Sequence, residues 1–341
     1  MLCRLQNGII LCAIMVTLAA CVAAPPVRAL KDITQFSENV AAVTDLFSVH
    51  LDNVEKAHLV ALKENTALQF DLGGNPAVES DPLFSYQAKA YRKKLLEILS
   101  TYAQNLKSVY PAGQLPSGDI VGQVQKIENN ILDFSHGIDM GDQAALIQSL
   151  NGTAAYVFTS YRESQIGDII RKAHPLVERA ALLLYLDIGS PEHQAQNCES
   201  LSSSHYINLK VGDLRLCRGG LRSLLKQAAS ARITALRQRL QLLRNDPPYS
   251  RQSAVNRLYD TQRAAQILDQ GMQKTQEALL KLVAAHRDLR RQYAGEDVKE
   301  GDILPGWSGT FEKGKALSEL TDLMNMLPAK ITEGAALLEG S

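Results

Sequence analysis

Apolar residues recur in steps of four and three along most of the chain, which is the spacing of one face of an α-helix. The first such stripe comprises Phe36, Val40, Val43, Phe47, His50, Val54, Ala57, Ala61, Glu64 and Leu68. Similar stripes cover residues 84–109, 120–134 and 146–188, and breaks rich in glycine and proline separate several of them. We therefore predict an all-α, up-and-down helical bundle over residues 32–188, with Pro175 kinking or splitting its last helix.

Residues 189–218 depart from the helical period. Ile207, Leu209 and Val211 alternate with polar residues ahead of Gly212-Asp213. Alternation followed by a glycine-containing pair predicts a small β-hairpin with a two-residue turn. An isolated hairpin is marginal in water, so this irregular element needs a further constraint.

Residues 219–294 predict a long helical hairpin, since two helical stretches meet at a proline-containing break. The second stretch repeats every seven residues, which favours an antiparallel coiled-coil pair. The repeating positions are Leu258, Ala265, Met272, Leu279 and His286, and then Thr261, Leu268, Thr275, Leu282 and Leu289. Residues 295–341 predict a loop and a C-terminal helix, which Pro328 is able to break.

The start of the chain has the layout of an export signal. Arg4 provides positive charge, and the apolar run from Ile9 to Leu18 is well short of the ~20 residues needed to cross a bilayer. The run ends in Leu18-Ala19-Ala20-Cys21: an aliphatic residue, two small residues and a cysteine. This tetrapeptide resembles the lipobox of bacterial lipoproteins, and the resemblance covers residues 1–21 only.

The resemblance implies a signal peptide over residues 1–20 and a lipid on Cys21, followed by a tether over 21–31. Val22 follows the cysteine in place of aspartate, which in this class implies passage to the outer membrane, facing the periplasm or the cell surface. One alternative is an ordinary signal cleaved near Ala24, with Cys21 discarded. In a eukaryotic secreted protein, Asn151-Gly152-Thr153 would be a glycosylation acceptor.

Removal of the signal peptide and lipidation of Cys21 would leave only two cysteines with free thiols in the mature chain. Cys3 and Cys12 leave with the signal and Cys21 carries lipid, so Cys198 and Cys217 remain as a pair in an oxidising compartment. We predict a disulfide between them that ties the irregular element and stabilises it by roughly 3 kcal/mol. The alternative is two buried free thiols.

Charge is segregated along a chain of zero formal net charge. Residues 22–209 contain 14 Lys+Arg and 21 Asp+Glu (net −7), the basic segment 210–293 contains 17 and 6 (net +11), and residues 294–341 contain 4 and 9 (net −5). The basic segment therefore faces either an anionic envelope component or the acidic remainder of the same chain. Export and an aromatic content of 6% argue against nucleic-acid partners.

No catalytic motif, metal site or cofactor site is evident. His174 and Glu178 are four residues apart, but they lack a second histidine at ligand spacing, so a surface pair is the expectation. His50 and His286 occupy core positions of their stripes. Three interpretations are open: each histidine specifies the register or the partner of its helix, senses mild acid, or lies at the frayed edge of the stripe and is bonded to water.

These features together predict a lipid-anchored, non-enzymatic scaffold or adaptor that engages a protein partner. A second hypothesis is a binding module for an anionic envelope component, such as lipopolysaccharide or anionic lipid, through the basic segment. A third is an enzyme whose site matches no motif. A pocket with converging polar groups favours the third hypothesis, whereas a continuous basic stripe favours the second.

Overall fold

The computed structural model describes residues 27–76, 82–84, 86–112, 166–189, 209–210, 213–214, 220–294 and 314–339. Their elements are α1 (Val27–Asp71), α2 (Tyr86–Ala112), α3 (Ile166–Ile188), β1 (Leu209–Lys210), β2 (Asp213–Leu214), α4 (Gly220–Leu242), α5 (Pro248–Ala294) and α6 (Ala316–Glu339). A 3-10 turn, Leu243–Asn245, lies between α4 and α5. The predicted all-α class and helical bundle are confirmed for these residues. None of the helices described is long and apolar enough to cross a membrane.

The helix α5 lies at the centre of the bundle, where it contacts α1, α3, α4 and α6. It runs antiparallel to α4, since Arg222 at the start of α4 pairs with Asp269, whereas Arg239 and Arg257 meet at Glu64. The predicted long hairpin of α4 and α5 is thus present. It is packed among the other helices, and one hydrophobic core contains residues from all six.

Burial on α5 extends beyond the two predicted heptad positions. A third column of small residues is also buried, and it admits neighbouring helices on a further side. The buried heptad residues are Thr261, Leu268, Met272, Thr275, Leu279, Leu282, His286 and Leu289, and the small ones are Ala264, Gly271, Ala278 and Ala285. A coiled-coil pair alone needs only two such columns, so the third indicates a central helix.

Two glycines allow α5 and α6 to approach closely. A Cβ atom on Gly271 of α5 would lie 3.0 Å from Cγ1 of Ile331, and a Cβ on Gly334 of α6 would lie 3.0 Å from the side chain of Leu268. These separations are tighter than ordinary van der Waals contact, so a side chain at either position would require Ile331 or Leu268 to shift.

Pro175, predicted to kink or split its helix, and Pro328, predicted to be able to break one, both lie within continuous helices, so neither splits its helix. The helix α3 runs through position 175, and α6 contains Pro328. In α6, Leu327 and Ile331 on either side of the proline are buried in the core, and this packing offsets the lost backbone hydrogen bond. In addition, α1 already begins at Val27, so residues 27–31 of the predicted tether are helical.

The predicted disulfide-tied hairpin is not seen as a whole. Leu209 pairs with Leu214 and Lys210 with Asp213 in an antiparallel bridge, which places Asp213 in a strand where the sequence predicts a turn. Cys198 and Cys217 lie outside the described residues, and so does the predicted helix over 120–134.

Candidate functional site

The predicted site residues Cys21, Cys198 and Cys217 all lie outside the described part of the chain. Lipid attachment and the disulfide therefore stay predictions. The polar groups that the structure does bring together lie in the core and along the basic segment.

Three hydrogen-bonded side chains from different helices form a tyrosine–histidine chain in the core. The Tyr102 hydroxyl of α2 lies 2.7 Å from Nε2 of His286 on α5, and Nδ1 of His286 lies 2.9 Å from Nδ1 of His174 on α3. Tyr102 and His286 are fully buried and His174 is 4% exposed. The ring of Phe36 on α1 lies 5.4 Å from that of His286, measured between centroids. Four helices therefore enclose the tyrosine–histidine chain.

The two imidazoles of this chain lie end to end in one plane. Their rings are parallel to within 1° with centroids 5.2 Å apart. That separation matches the 2.9 Å Nδ1···Nδ1 distance plus one ring radius at each end. The contact is therefore an in-plane N–H···N hydrogen bond and not a face-to-face stack.

Two proton arrangements satisfy this geometry when both imidazoles are neutral. If the Tyr102 hydroxyl donates to His286 Nε2, then His286 Nδ1–H donates to His174. If instead His174 Nδ1–H donates to His286, then His286 Nε2–H donates to the Tyr102 oxygen. In either arrangement both nitrogens of His286 are used. A second proton on His286 would let both nitrogens donate, but it would place a positive charge in the core and leave the Tyr102 hydroxyl hydrogen without His286 as its acceptor.

Burial keeps these histidines neutral. It lowers the pKa of His174 to about 3, with smaller contributions from the nearby guanidinium groups of Arg287 and Arg290. It also lowers the pKa of His286 well below its usual value, and His174 and Arg290 add to the effect. Neither ring has a carboxylate among its hydrogen-bond partners in the described residues, so a charged imidazole here would lack a counter-charge.

His50 of α1 forms a second buried contact with α5. Thr275 donates its hydroxyl to the Gly271 carbonyl at 3.0 Å, so Nε2–H of His50 donates to the Thr275 oxygen at 2.8 Å. The other nitrogen, Nδ1, has no hydrogen-bond partner among the residues that the structure describes. Burial lowers the pKa of His50 to about 4, because a proton on Nδ1 would be buried without an acceptor.

Two expectations about histidines are wrong. His174 does not form a surface pair with Glu178, because it points into the core while Glu178 pairs with Arg287 at 3.0 Å. His50 and His286 are not at frayed edges, since both are fully buried. His174 continues a 4-3-4 stripe with buried Ile170, Val177 and Ala181, and this spacing is the sequence signal that was overlooked.

This buried network holds helices together and is not arranged to receive a substrate. Its three side chains are hydrogen-bonded to one another, and His174, the most exposed of them, is only 4% exposed. No group of three or more potential metal ligands occurs among the residues that the structure describes.

Ion pairs connect the basic segment to both acidic segments. Glu64, Asp71 and Glu178 belong to residues 22–209, and Glu319 and Glu333 to residues 294–341. The pairs are Arg239–Glu64, Arg239–Asp71, Arg257–Glu64, Arg287–Glu178, Arg263–Glu333 and Lys281–Glu319. Part of the +11 charge is therefore compensated within the chain.

The most enclosed of these acids is Glu64, a member of the predicted α1 stripe. Its side chain is 5% exposed and accepts from Arg239 at 3.1 Å and from Arg257 at 2.9 Å. A buried carboxylate is stable when hydrogen-bonded cations surround it. One charge thereby joins α1, α4 and α5.

Comparisons with protein-family models, curated proteins and solved structures found no match to this chain.

Proposed function

We propose that this protein is a lipid-anchored, non-enzymatic scaffold or adaptor of the bacterial envelope that engages a protein partner. In this proposal Cys21 carries the lipid, and the mature chain lies on the outer membrane, facing the periplasm or the cell surface. The proposal rests on the lipobox and on the shape that the described helices give to the chain.

The observation that carries the scaffold proposal is the pairing of two very long helices. The 45 residues of α1 extend about 67 Å and the 47 residues of α5 about 70 Å at 1.5 Å per residue. Contacts between Phe36 and His286, His50 and Thr275, and Glu64 and Arg257 hold them together over most of that length. Such a rod displays a long surface to partners, and α1 begins six residues after the proposed lipid site.

The lipid anchor is tested by Cys21→Ser in intact bacteria, with Cys12→Ser as a control that alters another cysteine of the export segment. Radiolabelled palmitate should enter the unaltered chain and the control but not the Cys21 variant, which should also leave the membrane fraction. If the Cys21 variant still takes up label and pellets with membranes, the anchor is assigned to the wrong residue.

The protein partner is tested by placing a photo-crosslinking amino acid at exposed apolar positions on the side of the rod. Val49 is 41% exposed and Met326 59%. A scaffold should give one discrete protein adduct in intact cells, and Cys21→Ser should abolish it because the chain is then displaced from the membrane. The scaffold proposal fails if no position along the rod gives an adduct.

The proposed disulfide between Cys198 and Cys217 has its own test. Alkylation of protein taken from the envelope, with and without reductant, should show both thiols protected until reductant is added. Mass mapping should then recover them in one linked pair of peptides. Free alkylation of both cysteines without reductant would show that they are thiols.

A second candidate function, binding of an anionic envelope component through the basic segment, is favoured by the arginines that internal pairing leaves over. Arg237, Arg244 and Arg251 form no ion pair within the described residues. The isolated segment is unsuited to this test, because α5 is the centre of the bundle and alone would expose core surface. The whole chain must therefore be used.

A further inference from the structure

Four large apolar side chains are exposed at one end of the bundle. Phe70 (52% exposed) and Leu72 (57%) lie at the end of α1, Leu242 (46%) at the end of α4 and Tyr249 (77%) at the start of α5. We call this set the tip surface. Single exposed apolar residues are ordinary, but four that come from three chain segments and share one end are not.

Ion pairs show that these three segments meet. Arg239, three residues before Leu242, pairs at 2.9 Å with Asp71, which lies between Phe70 and Leu72. Tyr249 follows directly after the turn that links α4 to α5. The four side chains therefore lie at the end of three adjacent helices and project from it.

Four basic residues lie within two helical turns of the tip surface on the same chain segments. Lys63 is two turns below Phe70 on the same face of α1, Arg237 is on α4, and Arg244 and Arg251 flank the turn; none of the four has an ion-pair partner in the described ranges. Arg251 donates to the Arg244 carbonyl at 3.4 Å, which places these two together. Asp246 is the exposed acid of the turn.

We propose that the tip surface inserts into the headgroup region of an anionic lipid bilayer. Tyrosine and leucine side chains partition into that region, and arginines beside them bind lipid phosphates. Four basic groups against one unpaired acid give the charge that an anionic surface requires. The second candidate function is thereby placed at the turn between α4 and α5, near the middle of the basic segment, independently of the lipid on Cys21.

The experiment uses chain 22–341, which lacks the lipid site and contains every described helix and contact. Its partition is measured by flotation with vesicles of phosphatidylglycerol and phosphatidylcholine, and with vesicles of phosphatidylcholine alone. We expect binding to the anionic vesicles only. Arg244→Ala and Arg251→Ala should each lower the partition coefficient about fivefold, and Leu72→Ser about tenfold.

Two exposed tyrosines supply a matched control. Tyr249→Ser should weaken vesicle binding, whereas Tyr86→Ser should not, although Tyr86 is 84% exposed on α2. Equal binding to both kinds of vesicle, no binding to either, or equal effects of the two tyrosine variants would each overturn the proposal. Self-association is the alternative outcome. It would be shown if the unaltered chain does not bind vesicles and Leu72→Ser lowers the molecular mass of the oligomer measured in solution, and this result would overturn the proposal. Because chain 22–341 carries no lipid site, these outcomes are independent of the palmitate and crosslinking tests.

Discussion

Mild acid should destabilise this protein, because three buried histidines are held in the neutral form. Burial lowers the pKa of His50 to about 4 and that of His174 to about 3, and it lowers the pKa of His286 well below its usual value. In the unfolded chain each imidazole takes up a proton near pH 6.5. The stability is therefore fully present above pH 6.5 and is lost progressively as the pH falls toward the folded-state values.

The size of this loss in stability follows from the difference in proton uptake between the unfolded and the folded chain. Each pH unit between the unfolded and folded pKa values removes about 1.4 kcal/mol per histidine. At about pH 4.5 one histidine therefore lowers the free energy of unfolding by roughly 2.5 kcal/mol, and His50 and His174 together lower it by roughly 5 kcal/mol. His286 adds a loss in the same direction. A loss of this size is comparable with the whole stability of a typical domain, about 5–15 kcal/mol.

The substitution His50→Gln removes the titration of one of the three buried imidazoles. The glutamine amide can donate to the Thr275 oxygen, which accepts from His50 Nε2 at 2.8 Å, and it does not titrate. Urea unfolding is followed by circular dichroism at several pH values between neutral pH and about pH 4.5. These measurements give the free energy of unfolding as a function of pH. The variant should show a slope about 1.4 kcal/mol per pH unit smaller than the unaltered chain.

A matched control separates titration from loss of packing. Val54→Ala removes buried atoms one turn further along α1 and should lower stability at every pH by roughly 2 kcal/mol without changing the slope. If His50→Gln leaves the slope unchanged, or if Val54→Ala changes it equally, the reasoning from the buried imidazole is refuted.

Three further substitutions test other contacts, each by urea unfolding at neutral pH. Gly271→Val should destabilise by about 1–3 kcal/mol through the clash with Ile331, and an unchanged midpoint would contradict the close approach of α5 and α6. Glu64→Gln should lower stability by about 3 kcal/mol because its two arginine partners lose their buried counter-charge, an effect that added salt should not reproduce in the unaltered chain. Tyr102→Phe should lower it by about 1–3 kcal/mol by leaving His286 Nε2 unpaired, and no loss would mean that this hydrogen bond is absent in solution.

Local periodicity predicted much of the fold. Every residue of the α1 stripe, including polar His50 and Glu64, is buried. This outcome follows because a helix of fixed pitch places residues at four-three spacing on one face whatever their polarity. Pro175 and Pro328 do not split their helices, since packing of the neighbouring residues outweighs their local effect.

Partners distant in sequence were not predictable in the same way. A stripe shows that a side chain is buried but not which helix faces it, so the approach of His174 to His286, 112 residues apart, left no local sign. The same limit applies to Glu64 and its arginines. Charge segregation indicated that the basic segment needed compensation, but only the folded structure identifies the pairs.

The central position of α5 affects the order in which the chain folds. The contacts that complete the core join residues far apart in sequence: His50 to Thr275 across 225 positions and Asn39 to Thr321 across 282. Contacts of such separation form slowly, because a long loop must close before they contribute. The apolar stripe of α1 therefore emerges first, and the part of it that faces α5 is covered only when residues beyond 248 have followed. A chain interrupted before α5 would keep that part exposed and prone to aggregate.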